Sequence, residues 1–557
     1  MVSGAGRKAA VLMTFDQSGR YTLMWSGVSV VLAVFAVAWP RGARAFNRFA
    51  TCCLMGLDRR PWLIALPVVA VGLVVLGTRG FPLPRFHDEF SYLLAADTYA
   101  NGRLANPPHP LWESFETFHV NQQPSYVSMY PPGAGMVLAV GQRLLGHPWF
   151  AVWLSAIGLP LVVHWAARAW LSPPWAAAAG LVAAGIVFRG YWLDSYWGGS
   201  LPAIGGGLVV GAWPRLVRAA STGGISAAIK AALPLAVGGL LLLFTRPFEG
   251  LALVVPVATG LGMSRIGARS HAAWMGTAVA ALVVGLAGLA FSNWETTGSP
   301  LTTPYQVNMT AYHHRKLFVF GTDRDPPPVY RHDVMRQLYS DEYALRPFSS
   351  KAITQYAWPT ISFYGAPLHL FTIAALPWLL RSRRTRPLLL ATSCVCIAVL
   401  LTVFIRPHYL APAASGIIIL AMQAFRMAST LRWRGRRVGR TVAYGFLVSW
   451  LVVALGYGVT HQMQSSNVPQ WVRERLRIAE ELARMDGRHL VFVRYASGHS
   501  PHDEWVFNGA DQGADAKVLW ARAMDEQSDA RLIRHEAGRT VWLIEPDAAF
   551  ELRRIVP

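Results

Sequence analysis

The amino-acid sequence predicts a polytopic α-helical membrane protein, with about twelve transmembrane helices, that ends in a small C-terminal α/β soluble domain. Hydrophobic residues make up 53% of the 557 residues and charged residues only 15%, whereas soluble domains carry about 25% charged residues. Long apolar runs recur along the chain, and basic residues concentrate in every second loop between them. These three observations together predict the fold class.

The apolar runs are close to the length that an α-helix needs to cross a bilayer, about 17 to 25 residues. They lie at residues 22–40, 61–79, 148–170, 174–189, 199–214, 231–246, 248–264, 272–291, 360–380, 387–405, 409–425 and 441–460. The first run has no small-residue cleavage site before the next arginine cluster, so we predict a retained helix and not a signal peptide.

The distribution of charge predicts the orientation of the bundle. The formal net charge is +21, and the basic residues lie in short clusters between apolar runs, as in cytoplasmic loops, so nucleic-acid binding is not predicted. The clusters are Arg41, Arg44, Arg48, Arg59 and Arg60; Arg168; Arg215, Arg218 and Lys230; Arg265 and Arg269; Arg381, Arg383, Arg384 and Arg386; and Arg432, Arg434, Arg436, Arg437 and Arg440. The other loops then face outward. This pattern predicts that the outward loops and the C-terminal domain lie on the extracytoplasmic side of the membrane.

Three parts of the chain are predicted. Residues 1–60 hold one extra transmembrane helix and a basic cytoplasmic loop, and residues 61–461 form a transmembrane module with outward loops 80–147 and 292–359. Residues 462–557 are predicted to form a soluble α/β domain. There, QWVRERLRIAEELARM has the apolar period of an amphipathic helix, and HLVFVRYA and RTVWLIEPD have the composition of buried strands.

The first outward loop, 80–147, is rich in aromatic residues and proline. We predict short interfacial helices lying against the membrane, with Trp112, Phe115, Phe118 and Tyr130 at headgroup depth. Gly133–Leu145 has helical character but is short for a span, so it is assigned to this loop.

Disulfide and metal patterns are weak. The four cysteines, Cys52, Cys53, Cys394 and Cys396, lie in a basic segment or an apolar run and do not resemble a disulfide framework or a zinc site. The tail sequence HSPHDEW, from His499 to Trp505, has histidines three residues apart with acids nearby. That spacing suits a metal, but a polar surface loop is the favoured interpretation.

The strongest site signal is His87-Asp88-Glu89, which follows the run 61–79. An acidic pair at the mouth of a helix bundle is energetically costly unless it is solvated or has a role in catalysis or binding. The structural alternative is the first turn of a helix, where acids are favourable. Adjacent residues on a helix point about 100° apart, so the two carboxylates are not expected to act on one atom equally well.

Polar residues return to the same predicted face at three later turns. They are Tyr191 and Asp194 in 190–198, Arg246-Pro247-Phe248-Glu249, and Arg406-Pro407-His408-Tyr409. Proline at a first helical position and arginine reaching to headgroups would explain the Arg-Pro pairs structurally. Two arginines on the outward side nevertheless run against the charge bias, and with nearby acids they predict an anionic ligand near the outer leaflet.

These residue types suit transfer of a group from a phosphate to a hydroxyl. A carboxylate can take the proton of an acceptor hydroxyl, and arginine or a metal can stabilise a phosphate leaving group. A lipid-phosphate donor would lie with its head at this depth and its chain between helices. No cofactor is predicted, and the sequence leaves open whether a divalent metal takes part.

In this arrangement the chain resembles the GT-C superfamily of membrane glycosyltransferases, and within it the branch of protein O-mannosyltransferases and aminoarabinose transferases. The resemblance rests on a span followed by Asp88-Glu89, a long outward loop, the step Tyr130-Pro131-Pro132, and a second acid, Asp194, after the next helix pair. It covers residues 60–460. The extra run at 22–40 departs from the commonest plan, so the side of the membrane that holds residues 1–21 is not predicted.

The resemblance implies a sugar donor linked to polyprenyl phosphate, transfer on the outer face of the membrane, and inversion at the sugar carbon. Asp88 is the implied general base, with Glu89 and Asp194 as further catalytic candidates. The candidates for binding the donor phosphate are Arg246, Arg406, His408 and Tyr409, and His87, Tyr130, Glu249 and Tyr191 complete the candidate site. The acceptor could be a glycan, a lipid or a protein, and membrane lipids surround the bundle.

Two other classes of protein are alternatives. A transporter or flippase for a lipid-linked or small anionic substrate would place ionisable residues near the bilayer midplane and show inverted repeats. Here the interiors of the spans carry almost no charge, which favours one-sided chemistry. A non-catalytic scaffold whose tail recruits partners is the third class.

Overall fold

The computed structural model describes residues 24–222, 224–264, 267–342, 349, 356–464, 468–512 and 516–556. The predictions for residues 1–21, for Arg265 and for 343–348 and 350–355 of the second outward loop fall outside these residues.

The N-terminal part is a bent pair of helices. Helix α1 (Met24–Ala38) and helix α2 (Pro40–Arg59) meet at an angle of 116°, because Pro40 opens the second helix at its first position. Residues 41–59 were predicted as a basic loop, but they are helical. Helix α2 buries only its small face, where Asn47 donates a hydrogen bond to the Thr441 hydroxyl at 3.0 Å, and it leaves its arginines on the other side.

Each apolar run predicted from the sequence lies on one or two helices within the described residues. These are α3 (Leu66–Arg79), α6 (Trp149–Ala167), α7 (Pro173–Arg189), α8 (Ser200–Thr222), α9 (Gly224–Thr245), α10 (Pro247–Gly262), α11 (Ala268–Thr297), α14 (Trp358–Phe363), α15 (Ala366–Arg381), α16 (Arg386–Leu400), α17 (Ala414–Ala428) and α18 (Val438–Gln464). The remaining helices are α4 (His87–Ala100), α5 (Pro132–Leu145), α12 (Pro304–Tyr312), α13 (Asp333–Arg336), α19 (Gln470–Arg484) and α20 (Glu526–His535).

The chain is a multi-pass membrane protein. Five of the described helices are long and apolar enough to cross a membrane by length and composition, or six if the bent pair counts as one span. Helix α11 is the clearest case: only 11% of its apolar window is buried, and an apolar surface of this size requires a lipid environment. Several other helices are apolar but shorter, so the count of about twelve spans stays a prediction.

Small residues let the helices approach closely. A Cβ atom on Gly206 would lie 1.9 Å from the Pro412 carbonyl oxygen, and one on Gly238 would lie 2.6 Å from the Gly205 carbonyl oxygen. Contacts this close need glycine, which is how helices pack in a lipid environment where no hydrophobic effect drives them together.

The C-terminal domain is a four-stranded sheet with helices α19 and α20. The strands β3 (Arg488–Val493), β4 (Val518–Arg522), β5 (Arg539–Glu545) and β6 (Ala549–Val556) have the order β4-β3-β5-β6. The first three are parallel and β6 is antiparallel to β5. The predicted helix and both predicted strands are present, whereas both edge strands, β4 and β6, and helix α20 were not predicted.

The domain covers one face of the bundle, which we call the domain face. The domain packs against helix α4. The Phe90 ring stacks on that of Phe507 with centroids 3.8 Å apart, and the Asp97 carboxylate accepts a hydrogen bond from the Ala510 N–H at 2.7 Å. The segment between α4 and α5 contains a short hairpin, β1 (Val120–Asn121) with β2 (Val127–Ser128). Phe115 and Phe118 are each 1% exposed and pack in protein clusters. Phe115 packs against the C-terminal domain and Phe118 against residues 334–339, so both are buried in protein and do not face headgroups.

Candidate functional site

Asp88 lies in the first turn of α4, on the domain face. The Tyr130 hydroxyl donates a hydrogen bond to its Oδ1 atom, and its Oδ2 atom lies 3.2 Å from His87 Nδ1. His119 Nε2 is 3.9 Å from Oδ1. The side chain keeps 20% of its surface exposed, so the carboxylate is accessible from one side.

The surroundings keep Asp88 ionised. Burial works against the charged form, but the His119 imidazole, the contact with His87 and the Tyr130 hydroxyl outweigh it and hold the pKa of Asp88 below its ordinary value. Burial lowers the pKa of His119 to about 3, although the Asp88 carboxylate opposes this change. A partly exposed, ionised carboxylate has the protonation state of a general base.

Glu89 points away from Asp88 and into the protein. It is 0% exposed, and its carboxylate accepts the backbone N–H groups of Arg85 at 3.1 Å and Tyr196 at 3.0 Å. Burial raises the pKa of Glu89 to about 7, although these N–H groups and the Arg85 charge oppose the change. Glu89 therefore ties α4 to the turn between α7 and α8.

Asp194 lies on the Glu89 side. Its side chain is 3% exposed, and its Oδ2 atom lies 2.8 Å from Arg85 Nη2. The arginine neutralises this carboxylate. The structure thus gathers Glu89 and Asp194 around Arg85, and not around Asp88.

Arg246 precedes α10 and stands beside the Asp88 cluster. Its guanidinium lies 4.8 Å over the ring of Tyr409, and its electrostatic neighbours include Tyr92, Glu249 and Tyr130. Tyr92 and Tyr130 stack with ring centroids 4.4 Å apart and an angle of 8°. Because Tyr130 also binds Asp88, this tyrosine pair forms a wall shared by the carboxylate and the arginine.

Arg406 and His408 form a second part of the same region. The Tyr191 hydroxyl hydrogen-bonds to His408 Nδ1 at 2.6 Å, and Trp197 lies 5.0 Å from the same imidazole. Burial, with Arg246 nearby, holds the pKa of His408 well below its ordinary value, so it is neutral. Arg406 is exposed and lies 4.4 Å over the ring of Tyr356.

Several residues at this site were not singled out from the sequence. His119 is held by α4 through a hydrogen bond from Ser91 to its carbonyl at 2.6 Å, and its N–H donates to the Tyr339 hydroxyl at 2.9 Å. It has a positive φ of 59°, which no sequence signal indicates for histidine. Tyr92 and Arg85 were also missed because their roles depend on distant partners.

The tail cluster is a loop that is only partly at the surface: Ser500 and His502 are exposed, but other members are buried. His499 is 6% exposed and Glu504 is 1% exposed, because Glu504 forms a buried ion pair with Arg522 at 2.7 Å. His499 binds Asp547 at 2.7 Å. His502 extends to the candidate site: its ring stacks on His87 with centroids 5.5 Å apart, and its Nε2 lies 2.8 Å from Glu342.

A divalent metal fits the Asp88 cluster. One ligand atom each from His87, Asp88 and His119 lies within 4.8 Å of the others, and two imidazoles with one carboxylate are a donor set that suits zinc. Both ring nitrogens of His87 are buried and lack a well-formed hydrogen bond to any residue that the structure describes.

The predicted fold class is confirmed by a solved structure of similar fold. The apo crystal structure of ArnT from Cupriavidus metallidurans is similar to this chain with a TM-score of 0.50 and 14% identity, covering 87% of this chain and 93% of that one. The same ArnT bound to undecaprenyl phosphate gives a TM-score of 0.48.

A second relative in structure is archaeal. The apo oligosaccharyltransferase from Archaeoglobus fulgidus gives a TM-score of 0.49 at 12% identity, covering 83% of this chain and 64% of that one. No family model matches the chain, and no curated protein matches it in sequence.

Proposed function

We propose that this protein is a membrane glycosyltransferase that moves a sugar from a polyprenyl-phosphate-linked donor to an acceptor hydroxyl, with inversion at the sugar carbon. One observation carries the proposal: an ionised, partly exposed carboxylate, Asp88, shares the Tyr92–Tyr130 wall with a fixed cation, Arg246. The first group suits a base, and the second suits a phosphate leaving group.

The reaction follows as a single displacement. Asp88 takes the proton of the acceptor hydroxyl, and the oxygen attacks the sugar carbon on the side opposite the phosphate. The bond from that carbon to the phosphate oxygen breaks, and both electrons leave with polyprenyl phosphate. One displacement at the carbon inverts its configuration.

The arginines act on the leaving group. Arg246 and Arg406 stabilise the charge that develops on the phosphate, and a guanidinium offers two parallel N–H donors for this task. The neutral imidazole of His408 and the rings of Tyr191 and Tyr409 line the same region. The lipid chain would lie between the helices.

His87, Asp88 and His119 are the residues that would hold a metal. When bound, the ion would supply positive charge and hold an oxygen ligand at the carboxylate. Without an ion, His87 and the Tyr130 hydroxyl orient the Asp88 carboxylate, and burial keeps His119 from competing for its proton.

We place the domain face on the extracytoplasmic side of a bacterial cytoplasmic membrane. The arginine clusters between the apolar runs support this orientation. ArnT from Cupriavidus metallidurans has been crystallised with undecaprenyl phosphate bound; for this chain, the lipid phosphate is proposed from Arg246 and Arg406.

The test is substitution of Asp88 by Asn, which keeps the shape and removes the basic oxygen. The purified protein would be incubated with a panel of polyprenyl-phosphate sugars and a cell-envelope extract, and released polyprenyl phosphate would be measured. We expect Asp88→Asn to lower the rate by about 10²–10⁴, with donor binding retained. Glu295→Gln, at an exposed acid near the end of α11, should leave the rate unchanged.

Release by Asp88→Asn at the wild-type rate would reject the base. If the wild-type protein released polyprenyl phosphate from none of the donors, the transferase would be rejected. Passage of intact donor across a liposome membrane would then favour a flippase.

A further inference from the structure

A cavity lies on the domain face, away from Asp88. It has a volume of about 400 Å³ and is lined by the segment that follows α4 and by the C-terminal domain. Helix α4 rises about 1.5 Å per residue, so Arg103 at the cavity is about 20 Å from Asp88. This cavity is separate from the candidate catalytic site.

Arg103 gives the cavity a guanidinium that is not held in an ion pair by any described residue. Its guanidinium forms no hydrogen bond or ion pair with any residue that the structure describes, and its Nε atom is buried without a partner. A buried donor without a partner is costly unless a ligand or water satisfies it. The charge therefore favours an anionic ligand.

Arg488 also lines the cavity, as do two acids, Asp511 and Glu536. Of these acids, Glu536 is held by partners within the wall. Glu536 lies 2.6 Å from Arg539 Nε and 3.1 Å from His109 Nε2. Burial opposes ionisation, but these two partners lower the pKa of Glu536 to about 2. Glu536 is thus a fixed part of the wall, and it joins the α4 segment to the C-terminal domain through His109.

The same geometry disfavours a metal. His109, His535 and Glu536 lie close enough to one another to hold an ion. However, His109 Nδ1 accepts the Leu111 N–H at 3.0 Å, so the proton of the neutral imidazole is on Nε2, which faces Glu536. A metal would need a lone pair on that atom.

We propose that this cavity binds an acidic oligosaccharide, with a carboxylate or phosphate of the sugar chain on Arg103. Asp511 and Gln512 line the cavity and offer oxygen atoms to sugar hydroxyls, and the prolines of the α4 segment offer flat apolar surfaces. In a step that rests on the proposed function, the oligosaccharide is part of a glycan acceptor whose reacting hydroxyl reaches Asp88. The distance of about 20 Å between the two places then requires an extended chain of sugars.

The experiment measures binding without transfer, on the full-length purified protein carrying Asp88→Asn. Titration calorimetry would compare tetragalacturonate, neutral maltotetraose and inorganic phosphate. We expect tetragalacturonate to bind at least tenfold more tightly than the other two. Arg103→Gln should weaken this binding about 10- to 100-fold, since a hydrogen-bonded charge is lost, and Arg103→Lys should lose less.

The matched control is Arg534→Gln, since Arg534 is an exposed arginine on α20 beside His535. Its binding should be unchanged. Equal binding by Arg103→Gln and the parent protein would overturn the proposal, as would equal binding of maltotetraose and tetragalacturonate. Phosphate binding as tight as that of tetragalacturonate would show a small-anion site only. If the wild-type protein showed no sugar transfer, the proposed function would be rejected, but the binding result would still stand.

Discussion

At the scale of single residues, Asp88 and Glu89 are neighbours in the chain but differ in protonation. Asp88 faces His87, His119 and Tyr130 and keeps part of its surface exposed. Glu89 is enclosed, and burial raises its pKa to about 7. The helix turns about 100° between them, which is enough to give each carboxyl a different environment.

The raised pKa of Glu89 predicts that the stability of the protein depends on pH. Its folded pKa of about 7 is above the ordinary value of 4.5, so the folded state binds more protons than the unfolded state between these two pH values. The contribution of Glu89 to the free energy of unfolding is fully present below about pH 4.5 and is lost as the pH rises through 7. The loss amounts to about 3 kcal/mol. Glu89→Gln should flatten this dependence, measured as the melting temperature in detergent between pH 5 and 8.

The control is Glu113→Gln, at an acid on the same face that does not contact Glu89, which should leave the slope unchanged. An unchanged slope in Glu89→Gln would contradict the raised pKa.

At the scale of elements, the loop 495–505 reaches the candidate site because its ends are anchored. The buried pair Arg522–Glu504 holds one end, and Arg522 Nε donates to the Glu116 carbonyl at 2.7 Å. Tyr495 donates to Glu504 at 2.7 Å. This network fixes the C-terminal domain to the segment between α4 and α5 and places His502 on His87.

Breaking the pair should loosen this loop. Arg522→Met leaves Glu504 as a buried charge without its main partner, which costs about 3–5 kcal/mol. We expect faster hydrogen exchange in residues 496–505 and a lower melting temperature. Arg494→Met is the matched control, because its pair with Glu545 is exposed, at 54% and 39%, and exposed pairs contribute about 0–1 kcal/mol. Equal exchange in the two variants would argue against an anchoring role.

At the scale of the whole molecule, the orientation in the membrane can be tested. Natural cysteines would first be replaced by serine, and single cysteines introduced as Asn101→Cys, Asp325→Cys and Glu551→Cys, all at exposed positions of the domain face. A membrane-impermeant maleimide added to spheroplasts should label all three. Arg383→Cys, in a predicted cytoplasmic cluster, should react only after lysis.

Labelling of Arg383→Cys in intact spheroplasts, with protection of the other three, would reverse the orientation. The fold would stand, but the acceptor and donor would then have to be cytoplasmic.

Features that depend on local composition and on the membrane could be predicted from the sequence. Apolar runs must be helical in lipid, because every backbone polar group has to be satisfied within the segment. Acids after the run 61–79 and Arg-Pro turns were visible for the same reason: each is a local departure from an apolar background. Asp88, Arg246 and Tyr130 could therefore be proposed together.

Which of these residues contact one another became clear from the folded structure. His119, Tyr339 and His502 reach the α4 site from three separate parts of the chain, and Asp194 pairs with Arg85 on the Glu89 side. The cavity at Arg103 exists only because the C-terminal domain closes over the segment after α4. Contacts between residues far apart in the chain follow from packing, and a single sequence carries no local pattern that specifies them.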